Sequence, residues 1–466
     1  MENKQNGRMA AVHTLGCKVN QCDTENLLAR LAEAGYVICN FDQIADVYII
    51  NTCTVTHVGD KKSLQMIRRA RKQNPSAFIA VCGCMPRSQT DSVERICHAG
   101  ADFIFDTRKP NELLVKLDAV LSDPSIMVDF NDHEGQDATL LYQLDRVTSV
   151  LKERTRAFIK IQDGCDRYCA YCIVPYVRGP VASRSPSEIL TEAKAHISRG
   201  IQEIVLTGIQ IGAYGYDTDS KFIALPDLIN ELAKLSSSRQ SECISSKDLD
   251  RAVLSAPFLR LRLSSIDPWA VDDALLSAIS DSPTLCSHFH LSLQSGSDKT
   301  LARMNRRYTT SDYVKAAEKL KKIRPNMALT TDVIVGFPGE TEDEFKESIN
   351  FIQKMCFAQI HVFEYSQRAC TAAAEFPNQI PNHIKSSRGI EMRALAKELQ
   401  QNFLRKQIGT TAAVLFEAKI NKSPETWQGH TENYCMVQVQ GTNLANTIQN
   451  VRINGIAEDG LFGDFL

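Results

Sequence analysis

Lys160-Ile-Gln-Asp-Gly-Cys-Asp-Arg-Tyr-Cys-Ala-Tyr-Cys-Ile-Val-Pro175 decides the reading of this chain, because it places Cys165, Cys169 and Cys172 on one short loop. Three thiolates at that spacing can hold three corners of a cubane iron–sulfur cluster and leave the fourth iron without a protein ligand. An iron with an open position can bind and reduce a small molecule, which a fully ligated electron carrier cannot. The spacing alone also admits zinc or a disulfide. A closed structural zinc normally takes four ligands, however, and no fourth Cys or His lies nearby in the sequence. A disulfide calls for an oxidising compartment, of which nothing here gives a sign.

Around this loop, from about Arg154, β-like runs alternate with helical ones. Strands are expected at 158–162, 203–206, 259–263, 288–293, 329–335 and 359–363. Helices are expected at 186–199, 311–322 and 341–355. Six βα units predict a partly closed barrel with its active residues at the carboxyl ends of the strands. The cysteine loop follows the first of them, where that rule puts it. The polar, serine-rich stretch 236–250 reads as a surface insertion.

The first part of the chain predicts a separate open α/β sheet, with strands at 10–15, 47–51, 78–81 and 103–105 and helices at 23–34 and 60–73. Three strands run into a cysteine: Leu15-Gly-Cys17, Ile50-Asn-Thr-Cys53 and Val81-Cys-Gly-Cys84. Ligands of such sheets lie beyond the carboxyl ends of the strands. Cys17, Cys53 and Cys84 are therefore expected to converge on a second three-thiolate cluster, although each alone reads as a small buried hydrophobe. Cys82 competes with Cys84, which is preferred because Gly83 lets the chain turn out of the strand. Cys22, Cys39 and Cys97 read as packing residues.

Composition bounds the rest. With 466 residues the chain has room for two or three domains, and its formal net charge of −2 advertises no global affinity for nucleic acid. Fifteen cysteines without a signal peptide read as reduced thiols and metal ligands, so a cytoplasmic location is expected. No run approaches transmembrane length. The boundaries read as 8–130 for the cluster-binding α/β domain, 131–150 for a polar linker, 151–400 for the barrel and 407–466 for a small all-β barrel of OB type.

Together these motifs resemble the radical S-adenosylmethionine (SAM) methylthiotransferases over nearly the whole chain. The likeness rests on the Cys165 loop, Leu15-Gly-Cys-Lys-Val-Asn-Gln21, Asn51-Thr-Cys-Thr-Val55 and Gly83-Cys84. It continues through Leu206-Thr-Gly-Ile-Gln-Ile-Gly-Ala-Tyr-Gly215, Leu291-Ser-Leu-Gln-Ser-Gly-Ser297 and Asp332-Val-Ile-Val-Gly-Phe-Pro-Gly-Glu-Thr341. His13-Thr-Leu-Gly16, Thr155-Arg-Ala-Phe158, His361-Val-Phe-Glu-Tyr-Ser-Gln-Arg368 and Gly429-His-Thr-Glu-Asn-Tyr434 point to the branch acting on N6-threonylcarbamoyladenosine in tRNA. The chain departs from that pattern at Cys22, where a Tyr is more usual.

The resemblance implies two [4Fe-4S] clusters, SAM, and a C-terminal barrel of the TRAM type. It further implies an electron donor such as flavodoxin or ferredoxin, and the tRNA anticodon loop as substrate. The target carbon, C2 of adenine, bears a C–H bond that no general base deprotonates, so the cofactor has to supply a radical. On this reading Cys165, Cys169 and Cys172 hold the cluster that cleaves SAM, and Cys17, Cys53 and Cys84 hold the one that delivers sulfur.

SAM contacts are expected from Tyr171, from Thr207 and Gly208 at the end of the second strand, from Gln294 at the end of the fourth, and from Arg306 as a planar fork for a carboxylate. Barrel-mouth residues of this kind also serve to orient loops. For RNA, Lys61, Arg68 and Lys72 recur at helical spacing on one basic face, which also suits a merely solvated helix. Phe416, Trp427, His430 and Tyr434 suit base stacking or a small core. Three rivals stay open at this point: the same chemistry on isopentenyladenosine tRNA or on a ribosomal-protein aspartate, a radical enzyme with one cluster, and a non-catalytic metal-stabilised RNA-binding protein.

Overall fold

The computed structural model describes residues 7–122, 155–217, 223–244, 259–420, 423–458 and 460–466. The expected linker at 131–150 lies outside these, as does the part of the serine-rich stretch beyond 244; its first part is the tail of the helix Leu225–Ile244. The chain forms two compact units. The first comprises Met1–Lys152, Ile173–Arg178 and Arg368–Cys370; the second comprises everything else, the C-terminal barrel included.

In the first unit β1 (Met9–Thr14), β2 (Val37–Cys39), β3 (Val47–Thr52), β4 (Phe78–Gly83) and β5 (Phe103–Ile104) form one parallel sheet in the order β2-β1-β3-β4-β5. Every residue of β3 is buried, as expected of a parallel strand covered on both faces. Tyr48, Ile50, Ile79 and Val81 pack against Leu64 and Ile67 on one side. Val47, Ile49 and Ala80 pack against Leu27, Leu31, Leu113 and Leu117 on the other. Each such Leu or Ile contributes about 1.5–3 kcal/mol on burial. The first helix, Lys18–Glu33, starts five residues before the sequence reading placed it and makes Cys17 its N-cap residue.

In the second unit β6 (Arg156–Lys160) leads into a short antiparallel pair, β7 (Gln162–Asp163) and β8 (Ala182–Ser183), which brackets the Cys165 loop. The remaining barrel strands are β9 (Glu203–Thr207), β10 (Arg260–Leu263), β11 (His288–His290), β12 (Ala328–Val335) and β13 (Gln359–Glu364). The parallel ladders run β6-β9-β10 and β11-β12-β13. Bridges at Leu261–Leu285 and Ile266–Leu291 join them. Six strands thus follow in order around a partial barrel; among the described residues no ladder joins β13 back to β6. β11 ends earlier than expected because regular pairing stops at His290 and resumes only as a single bridge at Gln294.

The C-terminal region is a closed five-stranded barrel of β14 (Thr411–Ile420), β15 (Ser423–Thr431), β16 (Met436–Gln440), β17 (Ile448–Ala457) and β18 (Gly460–Phe465). It seals the amino-terminal end of the partial barrel. Arg260 donates to the carbonyls of His430 and Ala413 at 3.0 and 2.7 Å. Arg262 pairs with Glu203 at 2.7 Å and reaches the Glu432 carbonyl at 2.9 Å. Tyr434 lies between the rings of His288 and His430, at 4.9 and 4.7 Å, with the Arg262 guanidinium 4.9 Å from its own ring. Phe416 and Trp427 belong to the small barrel's core. Of the two roles left open for these aromatics, packing is the one they have here.

Candidate functional site

The Cys165 loop is held from several directions. Gly164 has φ +69°, and a Cβ there would fall 1.7 Å from the Pro180 carbonyl oxygen, so only glycine lets the loop pass. The Cys165 N–H donates to Gly179 at 3.0 Å, and the Cys172 N–H donates back to Cys169 at 2.9 Å. Ala170 donates to Met304 and accepts from Ala373, at 2.9 and 2.8 Å. Burial raises the Cys165 thiol above its ordinary pKa, with Cys169 adding to the effect and the Arg167 backbone N–H opposing it. Cys169 is buried, while Cys165 and Cys172 are half-buried.

Arg306, one of the expected SAM contacts, has partners within the protein. Its fork is spent inside the protein: Nη2 pairs with Asp267, Nε donates to the Tyr308 hydroxyl at 2.9 Å, and Nη1 donates to Cys169 Sγ at 3.3 Å. It therefore faces the cysteine loop instead of presenting two open donors to a carboxylate. Asp267 also accepts from Gln210 at 2.5 Å, which ties the ends of three strands together. At Gly208 a Cβ would meet the Gln162 carbonyl oxygen and Ile211 at 2.9 Å. The glycine is needed for packing within the protein.

Thr207 is buried at the end of β9. Gln294 sits at φ +72°, a left-handed conformation costly for a residue with a Cβ. Two backbone bonds to β12 hold it there: its N–H donates to Asp332 and its carbonyl accepts from Ile334, both at 2.9 Å. Tyr171 packs on the cluster of Met304, Phe337 and Tyr365, and burial pushes its hydroxyl far above its ordinary range.

The first unit brings Cys17, Cys53 and Cys84 together. Cys53 Sγ lies 2.9 Å from where a Cβ on Gly16 would stand, so the chain just before Cys17 is in contact with it. Cys84 is raised to about 11 by burial; the nearby Arg178 opposes the rise, while Cys17 and Cys53 add to it. Cys53 is raised likewise, mainly by burial. Gly83 has φ +93°, and a Cβ on it would sit 2.4 Å from the Thr52 carbonyl oxygen. That turn carries Cys84 to the trio, while Cys82 stays fully buried among Ala80, Phe78 and Leu113. Cys17 is the N-cap residue of the helix Lys18–Glu33.

Residues that sequence reasoning missed brace this trio. Asn20 donates to the carbonyls of Leu15 and Thr52 at 2.7 and 3.0 Å. Arg178 pairs with Asp23 at 3.2 Å and donates to Asn20. Arg368 donates twice to Asp60 at 2.8 Å and once to the Thr54 hydroxyl at 2.9 Å. The Asn in Leu15-Gly-Cys-Lys-Val-Asn20 was a visible signal; the two arginines lie too far away in sequence to have been one.

Both trios fit a cubane by chemistry: each offers three thiols, from the exposed Cys17 to the buried Cys84 and Cys169, beside a buried guanidinium, Arg178 in one and Arg306 in the other. Among the described residues, the candidate ligand trio with donor atoms all within 4.8 Å of one another is His290, Asp332 and His361. Lys61, Arg68 and Lys72 are exposed on the helix His57–Gln73, whose other face buries Leu64 and Ile67.

Comparison with known proteins agrees with this geometry. A family model described as the radical SAM superfamily matches residues 159–352, and one described as uncharacterized protein family UPF0004 matches residues 9–106. The chain is 38% identical, over 95% of its length and 93% of the relative's, to the threonylcarbamoyladenosine tRNA methylthiotransferase MtaB of Bacillus subtilis (strain 168). It is 31% identical to the protein of that name from Thermotoga maritima, over 97% and 95%. It is also 31% identical to the tRNA-2-methylthio-N(6)-dimethylallyladenosine synthase of Oceanobacillus iheyensis, over 95% and 80%. Among solved structures, the radical SAM methyltransferase TsrM from Kitasatospora setae shares the fold at TM-score 0.55 and 13% identity, over 79% of this chain and 77% of that one. The chain belongs to the radical SAM tRNA methylthiotransferases.

Proposed function

We propose that the protein converts N6-threonylcarbamoyladenosine, next to the anticodon of cytoplasmic tRNA, to its 2-methylthio form. The observation that carries this reading is the 38% identity, end to end, with a relative bearing that activity's name. Identity to the dimethylallyladenosine synthases is 31–32%.

In this reading Cys165, Cys169 and Cys172 hold one [4Fe-4S] cluster, and Cys17, Cys53 and Cys84 hold a second. Bound together, the clusters and SAM supply the radical and the methylated sulfur that acid–base groups cannot. The protein's own part is positional. Gly164 and the bonds to Gly179 and Met304 fix the first loop, and Arg306 sets its fork against Cys169. Thr207, Gln294 and Tyr171 are the candidate SAM neighbours, and Lys61, Arg68 and Lys72 the candidate phosphate contacts. A low-potential carrier such as flavodoxin or ferredoxin delivers the electron.

The test is mass spectrometry of tRNA nucleosides from a strain lacking the gene. Unmethylthiolated N6-threonylcarbamoyladenosine accumulates and the 2-methylthio form disappears, both restored by the wild-type gene. Loss of methylthio-dimethylallyladenosine instead would move the protein to the other branch.

A further inference from the structure

The rim where the second and third strands of the partial barrel end carries an aromatic patch that neither thiol site uses. Tyr216 follows the short 3₁₀ turn Ile211–Ala213 beyond β9, and Trp269 lies in the turn Pro268–Ala270 beyond β10. Their rings meet at 5.9 Å with 41° between the planes. Arg167, between the first two cysteines of the Cys165 loop, sets its guanidinium 4.1 Å from the centre of the Trp269 ring. Three segments distant in sequence thus assemble one surface of rings and charge beside a thiol loop.

The patch has a firm backing and an open front. A Cβ on Gly212 would stand 2.5 Å from Ala270 and 3.7 Å from the Trp269 ring, so this glycine lets the two turns close on each other. Trp269 Nε1 donates to Asp267 Oδ2 at 3.3 Å, and the same carboxylate accepts from Gln210 and pairs with Arg306. In front, Tyr216 is 63% exposed, and Trp269 and Arg167 are half-buried. Among the described residues the Arg167 guanidinium has no carboxylate partner and no hydrogen bond; the Trp269 ring is its contact. The nearby acids are engaged elsewhere: Asp217 accepts from the Ser183 N–H at 2.8 Å, and Asp166 from the Val181 N–H at 3.5 Å.

We propose that Tyr216, Trp269 and Arg167 form a stacking platform for an unpaired base beside the target adenosine in the anticodon loop, an inference that rests on the reading of the preceding section. Single-stranded RNA is held by stacking its bases on aromatic rings and on guanidinium planes. A nucleotide joins a flat ring to an anion within one unit, which matches both halves of the patch: the rings take the base, and the uncommitted charge complements its phosphate. Every base has a π-face, so the platform accepts the neighbour whatever its identity. Holding that neighbour on the rim leaves the adenosine itself free to leave the stack and enter the barrel mouth, as chemistry on a base requires.

The test uses the anaerobically reconstituted full chain and synthetic anticodon hairpins bearing N6-threonylcarbamoyladenosine, with 2-aminopurine on either its 5′ or its 3′ side. Wild-type protein is expected to quench the 2-aminopurine fluorescence of one hairpin, as stacking on an aromatic ring does. Tyr216→Ala, at an exposed position, should weaken binding about tenfold or more and restore the fluorescence, by the same factor at low and high salt because stacking releases no counterions. Tyr216→Phe and Trp269→Phe keep the rings and bind within about threefold of wild type. Iron content and circular dichroism equal to wild type show that the fold is kept. Absent quenching at both positions, or unchanged affinity in Tyr216→Ala, overturns the platform alone, whereas wild-type protein that binds neither hairpin overturns the tRNA reading and the platform with it. Tyr216→Ala that binds both hairpins like wild type but no longer takes electrons from flavodoxin makes the patch a protein-docking surface and overturns base stacking.

Discussion

Replacing Arg368 with Met removes the cation that braces the loop after Cys53. The Arg368 side chain is 1% exposed and that of Asp60 5%. Two bonds of 2.8 Å join them, and the same guanidinium serves the Thr54 hydroxyl at 2.9 Å, the Thr54 carbonyl and His57 Nδ1 at 3.1 Å. In the variant Asp60 keeps the Thr54 hydroxyl, at 2.7 Å, and stays buried without a counter-charge. Breaking one side of a buried pair costs about 3–5 kcal/mol. At about 1.4 kcal/mol per decade, the opened state of the loop becomes roughly 10² to 4 × 10³ times more populated. Hydrogen exchange over residues 53–60 reads this directly, and iron per chain after reconstitution reads its effect on the thiol trio. Adding Asp60→Asn removes the stranded charge and recovers about 1 kcal/mol or more. Stability within about 0.5 kcal/mol of wild type, with exchange unchanged, would refute the reasoning.

Two further perturbations test other parts of the account. Changing Cys17, Cys53 and Cys84 together to Ala is expected to lower iron from about eight to about four per chain, abolishing methylthio product while 5′-deoxyadenosine still forms; iron unchanged at either value, or product retained, contradicts the two-cluster reading. Asp106 is half-buried, which favours its neutral form, but hydrogen bonds from Arg108 and the charges of Arg87 and Arg108 outweigh that and hold its carboxyl at about 2 against an ordinary 3.8. Its folded pKa lies below its unfolded one, so the contribution is whole above about pH 4 and is lost as pH falls towards 2. Asp106→Asn should remove about 1–2 kcal/mol at neutral pH after allowance for screening, and flatten the acid limb of Tm against pH between 4 and 2.

The features legible in the sequence were those encoded by neighbours. The Cys165 loop is one stretch of chain, and each thiol of the other trio announces itself at the end of an apolar run. Gly83 even separates Cys84 from Cys82, because a residue at φ +93° with a carbonyl 2.4 Å from any Cβ has to be glycine. The helix after Cys17 was placed too late because Lys18-Val-Asn-Gln-Cys22 has no apolar periodicity: Asn20 is buried to hydrogen-bond the loops, not to pack. In the small barrel, β15 and β18 carry weak strand signals; one contains Pro424 and the other Gly460 and Gly463, and neither alternates cleanly. The ring of Tyr434 could not be assigned from sequence at all, since its neighbours come from β6, β10 and β11, far upstream.

What no local pattern could disclose is that each thiol site rests on buried arginine–aspartate pairs. Arg306 with Asp267 stands behind Cys169, Arg178 with Asp23 stands beside Cys84, and Arg368 with Asp60 holds the chain after Cys53. Hydrophobic residues of equal volume would give at least as much stability, because desolvating two charges offsets most of their attraction. They could not replace the donors, however. A loop that turns three thiols towards one point leaves its carbonyls facing inward, as at Thr54, and buried carbonyls need partners. A guanidinium supplies five N–H groups from one rigid plane, and its charge complements a trio of thiolates. The aspartate fixes the plane of each guanidinium, so that Arg306, for example, meets Cys169 Sγ through Nη1 alone. Such pairs are thus suited to fixing geometry more than to adding stability, and Lys in place of Arg at 178 or 368 should preserve charge yet loosen the trio.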